Sequence, residues 1–171
     1  MQYRQFECIG LDEYADIQKE IYGILYRSSF YYDYAFMQAI EEAVVNAAQY
    51  SADPHNAHIL IAMRVMTHNI AVTISSPTPP FDAIAFQQRL KNLTKDPIVK
   101  EMDWGEYIWR SDTGAGIWYM LTGCEYLCMD AQGQSVTLFA RRSMPTVGIT
   151  ETRIGLLVPR FLIKQNGVVF S

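Results

Sequence analysis

Apolar positions along the chain change period several times, and each change predicts an element. Residues 2–9 read as a short strand. Leu11, Tyr14, Ile17, Ile21 and Leu25 then recur at three- and four-residue intervals, the spacing of a helix with one buried face, up to a Tyr-rich break at 28–32. Asp33 is placed to cap a second helix, in which Phe36, Ile40, Val44 and Ala47 share a face. "NAHILIAMRVM" and "NIAVTISS" alternate and are β-branched in places, and "THN" between them suits a hairpin turn. Pro77, Pro79 and Pro80 stop the second of these strands, because proline cannot donate to a sheet ladder.

A third helix is expected over 82–93, with Ile84, Phe86 and Leu90 apolar. Residues 94–112 form a long connection without clean periodicity, of the kind that is usually functional or mobile. A Gly-rich turn, a helix from about Ala115, a strand near Tyr126, a turn at 130–133 and a strand from Ser135 to Arg142 follow. In the tail, "TRIGLLV" and "RFLIK" predict two strands around Pro159, and Asn166-Gly167 is a hairpin signal leading into "VVF". This order of elements predicts an α/β two-layer sandwich, with helices on one face of a mixed, mainly antiparallel sheet.

Composition narrows the picture. With 171 residues, 50% of them hydrophobic and 19% charged, the chain can bury a full core as one domain. A net charge of −4 gives no electrostatic footprint for nucleic acid. No segment reaches the roughly 20 continuous apolar residues of a membrane span, and no basic n-region precedes an apolar run, so a cytoplasmic protein is expected. Cys8, Cys124 and Cys128 have no zinc spacing and read as buried free thiols in a reducing compartment.

Two stretches carry candidate chemistry. On the second helix, Gln38, Glu42, Asn46 and Gln49 line the face opposite the apolar one, and no Lys or Arg occurs between Arg27 and Arg64. A solvated face would mix charges to gain i,i+4 pairs, so amides around one carboxylate look like a site. "TGAGI", Thr113 to Ile117, places Gly114 and Gly116 where a loop enters a helix, with backbone N–H groups and the positive end of the helix dipole available to a phosphate. It is no P-loop, because no Lys-Ser/Thr follows.

Taken together, strand, helix, E-x-x-x-N helix, hairpin, short helix, long loop, G-x-G, helix, strand, turn and strand resemble the GHKL superfamily of histidine-kinase-like ATPases, the Bergerat ATP-binding fold, nearest to the anti-sigma-factor serine kinases. The resemblance covers residues 1–142, with "EEAVVNAAQYS" as the N-box and "TGAGIWYMLTGCEYLCMDAQGQSVTLFARR" as the G2 box and last two strands; 143–171 is a C-terminal β extension without a counterpart. It implies that ATP binds with Mg²⁺ held by Asn46, and that Glu42 is the general base toward water or a protein serine. It further implies that Thr113, Gly114, Ala115 and Gly116 wrap the phosphates, that Gln49 and Tyr50 stand at a polar position of the N-box, and that Thr137 lies near the adenine. The family's D-x-G-x-G box aligns with Ser76 to Pro80, so Ser76 replaces the adenine-binding aspartate and both glycines are lost. Asp112 stands where the first of three glycines is usual.

Three functions follow: a serine kinase or ATPase-type regulator that binds Mg-ATP and phosphorylates a sigma-factor or anti-anti-sigma type partner, a protein-binding regulator that no longer binds ATP, or a site for another phosphorylated ligand. The apolar tail has two placements, an added sheet edge within the monomer or a homodimer contact, and the second is favoured.

Overall fold

A computed structural model describes residues 1–28, 34–111, 114–141 and 151–170. Strand β1 (Gln2–Ile9) turns into helix α1 (Gly10–Arg27) at Gly10, whose φ of +67° and close approach to the His55 backbone suit glycine. Helix α1 carries Asp12 and Glu13 in its first turn and Arg27 in its last, in the sense the helix dipole favours. Helix α2 (Tyr34–Gln49) buries Phe36, Ala39, Ile40, Ala43, Val44 and Ala48. The cap expected at Asp33 lies outside the described residues, as do Tyr31 and Tyr32.

Strands β2 (His58–Val65) and β3 (Asn69–Ser75) form the expected hairpin, and β3 stops before Pro77. Helix α3 (Ala83–Leu93) starts where Asp82 accepts a hydrogen bond from the Ala85 N–H at 2.8 Å. The 94–112 segment is not a structureless loop. It holds helices α4 (Pro97–Glu101) and α5 (Trp104–Ser111), because Asp96 caps Ile98 and Val99 ahead of Pro97, and Asp103 accepts from Gly105 at 2.8 Å. Helix α6 (Gly116–Gly123) follows, and α5 lays Trp104 and Tyr107 edge-on against Tyr119 and Trp118 of α6.

Strands β4 (Tyr126–Asp130) and β5 (Ser135–Arg141) are joined by a turn in which the Asp130 carboxylate accepts from the Gln134 N–H at 2.7 Å. The tail departs from the reading of two strands around Pro159. Ile154, Leu157 and Val158 are spaced for a helical face, all three are buried, and they form helix α7 (Ile154–Leu157) and a 3₁₀ turn over Val158–Arg160. Strands β6 (Phe161–Gln165) and β7 (Val168–Phe170) come after it, joined by Asn166 and Gly167 with φ of 51° and 80°.

The seven strands form one sheet in the order β1-β2-β3-β5-β4-β6-β7, antiparallel throughout except for the parallel pair β4–β6. Alternate residues of the central strands are buried, among them Ile59, Ile61, Ile74, Leu127, Leu138 and Ile163. Helix α2 packs across β2, β3 and β5, α6 against β4, and α3 against β6. The tail is therefore part of this chain's own sheet, the first of the two expected placements: Phe161 meets Phe86 edge-on, and its carbonyl accepts from Gln87 Nε2 at 2.7 Å. No described helix is long and apolar enough to cross a membrane. Cys8 and Cys124 are buried and Cys128 half-buried, all three free of disulfides.

The tail's place in the core fixes its energetic weight. Phe161→Ala should destabilise the fold by about 3–5 kcal/mol, read as a lower midpoint in urea denaturation. Deleting residues 151–171 strips out Ile154, Leu157, Val158, Phe161 and Ile163, each at most 2% exposed, and should abolish the cooperative unfolding transition altogether.

Candidate functional site

The two adjacent glutamates of α2 serve different neighbours. Glu41 faces α1, where its Oε1 accepts from Gln18 Nε2 at 2.6 Å and from the Tyr22 hydroxyl, tying the first two helices together. Glu42 is turned about 100° further around the helix axis and faces the start of α6. A methyl group placed on Gly116 would lie 3.1 Å from Asn46 Nδ2, 3.4 Å from Asn46 Oδ1 and 3.5 Å from Glu42 Oε2. Asn46 follows Glu42 by four residues, which stacks both polar heads on one face beneath that glycine.

The other end of α6 is closer still. A methyl group on Gly123 would collide with the Ala35 carbonyl oxygen and lie 2.7 Å from Ala39 Cβ. Glycine and alanine at this crossing let the two helices approach at backbone distance. Burial pushes the Glu42 carboxyl above its ordinary value of 4.5, and the neighbouring Glu41 carboxylate adds to the shift. No cation stands against Glu42 among the ion pairs of the described residues.

Of the residues expected at a site, Glu42, Asn46 and Gly116 come together, with Ala115 as the residue before the first turn of α6 and Gly114 preceding it in open space. Thr113 and Asp112 lie outside the described residues. Gln49 ends α2 and Tyr50 follows it, both exposed. Ser76 is 6% exposed, and its hydroxyl has no hydrogen-bond partner among the described residues, while its backbone is held by Gln134 O at 3.0 Å and by Thr78 N–H at 2.8 Å. Thr137 does not join them. Strand alternation puts Leu138 and Ala140 on the helix side, so Thr137 faces the opposite side of the sheet, with its Oγ1 2.9 Å from Thr73 Oγ1.

Gln134 is the residue that sequence reasoning missed. It lies beside Ser76, and its Nε2 donates to the Thr78 carbonyl at 2.7 Å, fastening the 76–80 segment to the β4–β5 turn. Counting back by twos from Leu138 would have selected it in place of Thr137. Past the strand ends, a trough of about 360 Å³ is lined by Glu7, His58, Leu60, Ser76, Asp130 and Ser135 among others. No cluster of three or more metal-ligating side chains occurs among the described residues. Compared with known proteins, the chain matches no family model and no curated protein.

Two outcomes test this geometry. A carboxyl whose pKa is raised on folding contributes most below its ordinary value of 4.5 and loses that contribution as the pH climbs through the raised value. Glu42→Gln should therefore raise the melting temperature at neutral pH, with the gain shrinking below pH 4.5. Gly123→Ala should cost about 1–3 kcal/mol or more by forcing α6 off α2, measured as a fall in denaturation midpoint.

Proposed function

We propose that the protein is a regulator built on the histidine-kinase-like, or Bergerat, ATPase fold, and that it binds Mg-ATP between helix α2 and the start of helix α6. The observation that carries the reading is the meeting of Glu42 and Asn46 with Gly116, since a carboxylate, an amide oxygen and a glycine-flanked helix start are what a metal-bound polyphosphate requires. A magnesium ion keeps most of its water and takes one or two protein oxygens beside the phosphates, a demand that Asn46 Oδ1 would fit. Bound there, it would neutralise phosphate charge.

The remaining groups have roles consistent with this placement. Gly114, where an added side chain would meet nothing within 4 Å among the described residues, leaves room for a phosphate to approach the backbone. A carboxyl pushed upward by burial is suited to accept a proton from water or from a protein serine hydroxyl, so Glu42 would be the base in phosphate transfer to a protein partner. Such a partner would be of the sigma-factor or anti-anti-sigma type that the resemblance implies.

A second reading, a protein-binding regulator without ATP, has its own observation. The Ser76 hydroxyl, at the position of adenine recognition, is shut off from solvent, and Thr78 after it is also 6% exposed. A base reaches that hydroxyl only if its surroundings move, and the prolines that follow and the Gln134 hydrogen bond stiffen the segment that carries it.

Calorimetric titration with ATP separates the two. Saturable binding in Mg²⁺ that weakens at least tenfold in Asn46→Ala and in EDTA supports the nucleotide reading, whereas no heat at millimolar ATP overturns it in favour of the second.

A further inference from the structure

On the face of the sheet turned away from the helices, one row of side chains crosses five strands as Glu7, Leu60, Ser75, Ser135 and Asp130. The register pairs the first four in turn, and Asp130 stands beside Ser135, whose N–H it accepts at 3.3 Å. All five line the trough of about 360 Å³ past the strand ends. Their chain neighbours Cys8, Ile59, Ile61, Ile74 and Met129 are buried on the helix side, so the row lies across the sheet from Glu42 and Asn46.

The row has a definite order of chemistry. A carboxylate stands at each end, four strand spacings or about 19 Å apart at the backbone, with a leucine and two hydroxyls between them. No single ion can touch both carboxylates, and no cluster of three or more metal-ligating side chains occurs among the described residues. The lining contains no Lys or Arg. Asp130 is half satisfied: Oδ1 accepts from the Gln134 and Ser135 N–H groups, while Oδ2 has no partner among the described residues. At the other end, Glu7 has only the exposed His58, with Nδ1 at 3.8 Å.

The middle of the row is rich in acceptors. Ser75 Oγ and Ser135 Oγ lie 3.0 Å apart and share one proton, which leaves lone pairs on both oxygens. Ser76, 6% exposed, lines both this trough and an adjoining hollow of about 200 Å³, and its hydroxyl has no partner among the described residues. A buried polar group left unmet at the wall of a cavity calls for a ligand or a water to complete it.

We propose that this trough binds a linear aliphatic polyamine, laid across the strands with one terminal ammonium at Glu7 and the other at Asp130. An ammonium carries three donors and no acceptor, the complement of a lining of carboxylates and hydroxyl oxygens without a cation. Methylenes between the charges lie over Leu60, and an inner ammonium meets the Ser75–Ser135 pair. Lys164, paired across from Asp130, is the next side chain of the row and makes no ion pair among the described residues. Its positive charge opposes the ligand at that end and weakens it. This inference is independent of nucleotide binding.

Isothermal titration of the full chain with spermine, in buffer free of nucleotide because polyamines pair with polyphosphate, should show saturable binding. Putrescine, too short to reach both carboxylates, should bind about tenfold more weakly or worse. Asp130→Asn keeps an acceptor for the turn and removes the charge; it should cost about tenfold, as the loss of a charge-assisted hydrogen bond does, and Glu7→Gln at the exposed end about threefold. Lys164→Gln should tighten binding, and Asn46→Ala, across the sheet, should leave it unchanged. Glu7 and Lys164 are exposed, so those two variants test the site without disturbing the fold, as unchanged circular dichroism should confirm. Absence of saturable heat, equal affinity for spermine and putrescine, or a spermine affinity indifferent to both Glu7→Gln and Lys164→Gln would each overturn the proposal.

Discussion

Helix α6 lies on α2 only because glycine stands at both ends of the contact, Gly116 above Glu42 and Asn46 and Gly123 above Ala35 and Ala39. Close approach at Gly123 is what brings the start of α6 down onto the polar pair, and the same crossing puts Trp118 into the core and presents Tyr119 to α5. Packing at interior density passes a displacement at one end of a short helix to the other. The arrangement of the candidate site is thus set at its far end, by the absence of one methyl group.

Much of this architecture was legible in the sequence because each signal was local. The β2–β3 hairpin, the helix after Pro80, the β4–β5 turn and the Asn166-Gly167 turn depend on residues adjacent in the chain. The two misread regions had signals of equal strength that pointed elsewhere. Asp96-Pro97 and Asp103 are helix starts inside a stretch judged by its lack of period, and "TRIGLLV" is too short for alternation and helical spacing to be told apart until its neighbours are known. Thr137 was misplaced by one residue of strand parity, which transfers a side chain to the other face.

The site itself was half legible. Glu42 and Asn46 could be paired from their spacing of four, since a helix fixes which side chains stack. That Glu41 belongs to another network, with Gln18 and Tyr22, could not, because the direction in which α1 crosses α2 is a tertiary fact. The buried hydroxyl of Ser76 has the same origin. Its neighbour Gln134 comes from the β4–β5 turn, 58 positions later in the chain, and it holds the Pro-rich segment in place through the Thr78 carbonyl.

The parallel pairing of β4 with β6 has a consequence for synthesis. Leu127 waits for Phe161, and Met129 for Ile163, so the hydrophobic layer under α3 stays unsealed while more than thirty intervening residues are made. An emerging nascent chain would expose Phe86 and the rim of β4 for that interval, a window in which a chaperone competes with closure. Vectorial folding from the amino end is therefore incomplete by design of the topology, and the last strands act as the closing stitch.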